Sequence, residues 1–171
     1  MEICSASIED FEGWLILAAE VEPLFGPMVD DLSFRQSLIE AIREGRAWCV
    51  RENNGPPGTP LCGGIVIHGI RNEIDWFAVA GPFRGRGLGR ALLAHALEQL
   101  DPREEVTVRT FDSSADQGQP ARRLYRSFGF RDRQACEPTS TGFSTIIMVR
   151  AGAGGTNHGK AAAGLFRGGA E

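Results

Sequence analysis

The chain has 171 residues, enough for one domain with a real hydrophobic core and short of what two would need. Its 42% apolar and 23% charged content is that of an ordinary globular protein. A formal net charge of −4 gives no whole-molecule attraction to nucleic acid, and slightly favours a cationic substrate such as an amine. No apolar run approaches the about 18 residues a bilayer span needs, so neither a nucleic-acid partner nor a membrane is expected.

Residues 2–6 read as a short first strand, after which Ser7 can cap a helix whose apolar side is Phe11, Trp14, Leu15 and Ala18. Glu22-Pro23 and Gly26-Pro27 are expected to break it. A second helical pattern follows Asp30 and Asp31, with Phe34, Leu38, Ala41 and Ile42 at helical spacing, and Gly45 ends it. Strands are expected around Trp48 to Val50, over 61–68 and over 73–80, separated by turn-rich loops. Gly63 and Gly64 inside the 61–68 strand suggest a bulge or a close backbone approach. A glycine-rich turn then leads into a helix ending near Leu100, followed by a β-like segment at 105–111. Pro120 opens a short helix through Ser127, Phe128-Gly129-Phe130 marks the exit into strand structure, and 143–150 is the last strand. Residues 1–150 thus form one domain, and 151–171 a Gly- and Ala-rich tail without periodicity.

The element order β-α-α-β-β-β-α-β-α-β implies an α/β (α+β) fold with a largely antiparallel sheet flanked by helices. Strand 73–80, helix 87–100 and strand 105–111 form a βαβ unit, which predicts one parallel pair. Cys4, Cys49, Cys62 and Cys136 lack metal-ligand spacing, and Met1 leads into no basic, then apolar, leader. A cytoplasmic protein with reduced cysteines and no metal is expected.

The chemistry concentrates in Val79-Ala80-Gly81-Pro82-Phe83-Arg84-Gly85-Arg86-Gly87-Leu88-Gly89-Arg90. Glycines at 85, 87 and 89 let the main chain turn sharply and approach a ligand closely. The helix that follows offers unpaired N–H groups and the positive end of its dipole, a cradle for a pyrophosphate. Arg84, Arg86 and Arg90 add charge that can reach phosphate oxygens. The dinucleotide fingerprint fails because Arg90 stands where its last glycine is required, and no GK[ST] makes a P-loop.

Arg84-x-x-Gly87-x-Gly89 resembles the R/Q-x-x-G-x-G/A acyl-CoA signature of the GNAT family of N-acetyltransferases. A second block, Ala121-x-x-Leu124-Tyr125-x-x-x-Gly129-Phe130, is similar to that family's A-x-x-L-Y-x-x-x-G-F segment. The resemblance covers residues 60–149 well and the earlier chain by element order. It implies that the turn from Arg84 through Gly85, Arg86, Gly87, Leu88, Gly89 and Arg90 holds the pyrophosphate of acetyl-CoA. It also implies that Phe77 and Val79 pair with the pantetheine arm as an added strand does. Two departures stand out: Gly81 where relatives often have proline, and Gly118 where they often have an asparagine near CoA.

The function implied is acetyl transfer to a primary amine of a small molecule or of a protein or peptide. The alternative is an acyl-CoA-binding sensor that does not turn over. By resemblance Tyr125, the chain's sole tyrosine, is the general acid. A phenol with a reference pKa of about 10 stays protonated and can donate to a thiolate of about 8.5. Glu73 and Asp75 share strand parity with Phe77 and Val79 and are candidate bases, with His68 a weaker one. Asp30 and Asp31 read as helix N-terminal acids or ammonium attractors, and Phe25, Met28 and Phe34 as acceptor pocket or core. Arg122, Arg123 and Arg126 read mainly as a solvated helix face. The family analogy adds a possible homodimer.

Overall fold

The computed structural model describes residues 1–154. Its chain order is β1 (Cys4–Ser5), α1 (Phe11–Phe25), α2 (Leu32–Arg43), β2 (Ala47–Arg51), β3 (Leu61–His68), β4 (Glu73–Val79), α3 (Leu88–Gln99), β5 (Val106–Phe111), α4 (Gln119–Ser127), β6 (Arg131–Cys136) and β7 (Thr145–Arg150), with short 3-10 turns between. The strands form one seven-stranded sheet in the order β1-β2-β3-β4-β5-β7-β6, antiparallel throughout except for β4–β5.

Two apolar layers sandwich the sheet. On one face α1 and α2 bury Trp14, Leu17, Phe34 and Leu38 against Val66, Trp76 and Ala78. On the other, α3 and α4 bury Leu92, Leu93, Ala96 and Tyr125 against Ile65, Ile67, Ile74 and Val108. Both close-approach and bulge expectations for β3 hold. A Cβ on Gly64 would stand 2.5 Å from the Trp14 ring, and the β2–β3 register shifts between Val50 and Arg51.

The first face is also tied down by charge. Asp10 is fully buried and accepts from Arg51 Nε (2.8 Å) and Nη2 (2.6 Å) and from the Ser7 and Gly58 backbone N–H groups (2.8 and 3.0 Å). Burial alone would raise its pKa, but these donors override it and hold the carboxyl at about 2.

Three elements differ from the sequence reading. Helix α1 continues through Pro23 and stops at Gly26, whose φ of 103° ends it. In the last turn proline forfeits only one helical bond, so the break moves to the residue that can leave the helical region. Strand β6 has no place in the expected order: Arg131 to Gln134 are charged or polar and its residues are largely exposed, so it lacks the apolar alternation that signals a strand. Arg122 is buried, not solvated. It donates to Asp132 Oδ2 (2.7 Å) on β6 and to the Phe111 carbonyl (3.1 Å).

Ala153 and Gly154 donate to the Pro102 and Arg103 carbonyls (2.8 and 3.2 Å), which pins the start of the expected tail. The rest of that tail lies outside the described residues. Among the described residues no helix is long and apolar enough to cross a membrane, and no group of three His, Cys, Asp or Glu is placed to hold a metal.

Candidate active site

Strands β4 and β5 pair only at their beginnings, Glu73 with Thr107 and Ile74 with Val108. Beyond Ile74 they separate, leaving the β4 edge open to Val79. The gap is a cleft of about 480 Å³ lined from both faces of the sheet. Val21, Leu24 and Phe25 of α1 reach it from one side, and the turn before α3 with Pro120, Leu124 and Tyr125 of α4 from the other.

The open edge carries usable hydrogen-bonding groups. Ala80 donates to the Cys62 carbonyl (2.9 Å), and antiparallel alternation then turns the N–H and C=O groups of Ala78 and Trp76 toward β3 as well. Those of Phe77 and Val79 face the gap. Arg84 marks this direction, because its Nε donates to the Val79 carbonyl (2.8 Å).

At the end of that edge the glycine turn behaves as its composition predicts. Gly85 and Gly87 have φ of +72° and +83°, and neither has an atom within 4 Å of where a Cβ would lie. Gly87 caps α3 from the left-handed region, and the first intrahelical bond runs from Ala91 N–H to Gly87 O (3.1 Å). The N–H groups of Leu88, Gly89 and Arg90 therefore lack helical acceptors. At Gly89 a Cβ would meet Phe77 and Leu124 at 3.4 Å, so a side chain there would crowd the floor of the cleft. Arg84, Gly85, Gly87, Gly89 and Arg90 all line it. Arg84 also pairs with Glu20 (3.5 Å), Arg86 lies over the Phe83 ring, and Arg90 donates to Ser127 Oγ (3.1 Å) over the Phe128 ring. Open backbone, exposed amides and nearby guanidiniums fit a pyrophosphate.

The carboxylates depart from simple strand parity. The β3–β4 register shifts between Val66 and Ile67: Val66 pairs with Trp76 but Ile67 with Ile74, so Asp75 is an extra, bulged residue. The alternation is reset there, which puts Ile74 on the same face as Phe77 and Val79. Glu73 is consequently turned to the α1 face. It is fully buried and does not line the cleft. Asp75 does line it, and among the lining residues it is the sole carboxylate.

Arg71 holds both acids, through Nε to Glu73 Oε2 (2.9 Å) and Nη2 to Asp75 Oδ1 (2.9 Å). Burial raises both carboxyls above the ordinary carboxylate range, while Arg71 opposes the rise. The other oxygen of Glu73, Oε1, is buried without a hydrogen-bond partner. His68, cross-strand from Glu73, is pushed below its usual range by burial and by Arg71, so it stays neutral.

Tyr125 lines the cleft from α4. Its ring packs edge-on to Phe77 (6.4 Å) and tilted against Phe130 (5.6 Å), and burial pushes its phenol pKa upward. Gly118 lies against Phe111, where a Cβ would stand 2.5 Å from the Phe111 Cβ. An asparagine has no room there. Phe111 in turn stacks on Phe25 (4.4 Å) and meets Phe143 edge-on (5.6 Å).

The structure also separates readings that the sequence left joined. Phe25 lines the cleft, whereas Met28 and Phe34 are core. Asp31 caps α2 by accepting from Ser33 and Phe34 N–H, and neither it nor Asp30 lines the cleft. Arg71 escaped sequence reasoning, although its spacing of two and four residues from Glu73 and Asp75 was a usable signal.

A model of the acetyltransferase (GNAT) family matches residues 12–130. No protein of curated function matches the sequence significantly. Among solved structures, the chain resembles the ribosomal-protein-alanine N-acetyltransferase of Brucella melitensis at 19% identity and a TM-score of 0.68, covering 88% of this chain and 99% of that one. It resembles NAA60 of Arabidopsis thaliana in complex with a bisubstrate analogue at 17% identity and a TM-score of 0.66, covering 90% and 99%. NAA60 in complex with acetyl-CoA gives 16% identity and a TM-score of 0.63, covering 86% and 97%.

Proposed function

Since this chain belongs to the GNAT acetyltransferase family, we propose that it moves an acetyl group from acetyl-CoA to the nitrogen of a primary amine. The observation that carries this is the cleft at the β4–β5 divergence, with an open glycine turn at one end and a buried carboxylate, Asp75, and a phenol, Tyr125, both among its lining residues. The turn from Arg84 to Arg90 would hold the pyrophosphate, with Gly85, Gly87 and the N–H groups of Leu88 and Gly89 against it and Arg86 at its rim. The open groups of Phe77 and Val79 would pair with the pantetheine amides. Acetyl-CoA supplies a thioester carbonyl, and a backbone N–H of the open β4 edge not taken by the pantetheine amides would face the charge that develops on its oxygen.

In this reading the amine arrives from the α1 side, where Asp75 lies. The nitrogen bonds to the carbonyl carbon and the carbon–sulfur bond breaks. The ammonium first gives one proton to water so that the neutral amine can attack; the second nitrogen proton passes to Asp75, directly or through water, while Tyr125 donates its hydroxyl proton to the departing sulfur and is reprotonated from solvent. A raised Asp75 pKa makes that carboxylate a stronger base, and a raised Tyr125 pKa keeps the phenol protonated through the working range. Glu73, outside the cleft, has no part in proton transfer. It shares Arg71 with Asp75.

The test is amine-dependent release of CoA thiol from acetyl-CoA by wild type, Asp75→Asn and Tyr125→Phe. Each substitution is expected to lower kcat by about 10²-fold or more while acetyl-CoA still protects the protein against heat. Thermal protection by acetyl-CoA without thiol release from any amine would favour a sensor that binds and does not turn over.

A further inference from the structure

The half of the cleft on the α1 side is chemically unlike the half at the glycine turn. Its apolar wall is Val21, Leu24 and Phe25 of α1 with Phe111 at the end of β5, its acid is Asp75, and Arg109, Thr110 and Gln117 are polar lining residues near Phe111. Phe25 and Phe111 stack at 4.4 Å, with Phe143 behind Phe111. This wall cannot retreat toward α4, because Gly118 already sits against Phe111 at a distance that leaves no room for a Cβ. The Leu24 carbonyl accepts from Thr141 Oγ1 (2.6 Å), which ties the end of α1 to the β6–β7 connection.

The charge balance of the whole cleft is equally one-sided. One carboxylate lines it; of the three lining guanidiniums, Arg84 and Arg90 belong to the glycine-turn end, where the phosphates of acetyl-CoA would meet them, and Arg109 lies on β5 and donates to the Glu137 carbonyl (2.6 Å). One ammonium group can be matched by Asp75. A second or third would meet apolar side chains or arginines, and burying an unmatched charge is costly. A polar, uncharged substituent would lose its water to Leu24, Phe25 and Phe111 without gaining partners from them. An apolar one gains about 25 cal/mol for each Å² it removes from water.

We propose that the acceptor is a monocationic primary amine whose adjacent carbon bears an apolar group, the chemistry of an α-amine on an apolar amino-acid unit. Asp75 receives the nitrogen, and Val21, Leu24, Phe25 and Phe111 receive the side chain. This rests on the acetyl-transfer reading above and narrows it against polyamines, aminoglycosides and lysine-rich segments, which carry several cations. The same chemistry exists in free amino-acid derivatives and in peptide N-termini.

The test measures kcat/KM with acetyl-CoA in two arms. One arm uses leucinamide, phenylalaninamide and serinamide, with spermidine as the polycation. The other uses short peptides beginning Leu-Gly, Phe-Gly or Ser-Gly. Within either arm the apolar member is expected to exceed the serine member by 10-fold or more, in keeping with the roughly 10–200-fold that a methylene-sized difference in an apolar pocket supplies. The arm with the higher values identifies the source of the amine. Leu24→Glu, at a half-buried helical position, adds a second carboxylate and should lower the leucinamide-to-spermidine ratio at least 10-fold. Preference for serinamide or spermidine in wild type, or an unchanged ratio in a folded Leu24→Glu, overturns the acceptor assignment and leaves acetyl transfer standing. Turnover of no amine in either arm overturns both.

Discussion

Arg71 gives the sharpest handle on the proposed base. Its guanidinium bridges Glu73 and Asp75 at 2.9 Å each, so Arg71→Gln leaves two buried carboxylates sharing no cation. With charge centres about 4 Å apart and an effective dielectric of about 20 to 40, the lost attraction at Asp75 is roughly 2–4 kcal/mol. At 1.36 kcal/mol per tenfold change this is about 1.5–3 pH units. Arg71 is 30% exposed, so entering water screens part of the change, and about one to two units is the expected result. Removing a cation raises a carboxyl pKa. The acid limb of kcat/KM should therefore move to higher pH, and Arg71→Lys should bring most of it back.

The assay is thiol release across the acid range with one amine, whose own ionisation cancels between variants. An unmoved acid limb in a folded Arg71→Gln would remove Asp75 as the titrating base. Stability offers a second readout with its own sign. Burial raises both carboxyls in the folded state, so the fold takes up protons more readily than the unfolded chain as pH falls. The destabilisation by Arg71→Gln, about 3 kcal/mol at the low end for a broken buried pair, should thus be greatest above both folded pKa values. It should shrink as pH drops through them. A purely steric role for Arg71 would give a pH-independent loss.

Two further outcomes test the scaffold around the cleft. Gly64→Ala places a Cβ 2.5–3.0 Å from three Trp14 ring atoms and should destabilise by about 1–3 kcal/mol. In a denaturant series with Trp14→Leu, the double variant should lose less than the sum of the singles, and strict additivity would mean the two residues do not press on each other. Gly87→Ala meets no atom within 4 Å, so its cost comes only from a φ of +83°, about 1–2 kcal/mol. If the turn holds acetyl-CoA, this substitution should raise the KM for acetyl-CoA more than that for the amine. Equal rises would point to a general loss of order.

The backbone geometry of the glycine turn was legible in the sequence because its cause is local. Gly85 and Gly87 take conformations that glycine adopts readily, and the helix they introduce starts at the next residue. The parallel pair was legible for a similar reason, since a strand–helix–strand connection of that length admits one handedness. Arg122 was not legible. Its burial depends on Asp132 in β6, a strand whose charged residues carry no apolar alternation. Nor was the Gly118 contact, which joins a turn to the end of β5 through packing alone.

The instructive case is Asp75, which lines the cleft through a geometry that strand alternation does not give. A period of two through Glu73, Ile74, Asp75, Trp76 and Phe77 puts both acids on the face of Phe77 and Val79. No glycine or proline marks the register shift that breaks the period. Arg71 still bridges the two carboxylates, but the shift gives them different places in the sheet: Asp75 is bulged at the point where β4 leaves β5, and Glu73 remains inside the paired sheet. An unbulged β4 would leave Asp75 in line with Glu73 on one pleat. The irregularity in the ladder thus accompanies both features that the proposed chemistry needs, an opened edge for the pantetheine arm and a single carboxylate facing the gap. A variant that restores regular pairing, by deleting residue 75 while keeping Trp76, should lose thiol release more completely than Asp75→Asn does. Equal losses would mean that the bulge contributes nothing beyond the carboxylate it carries.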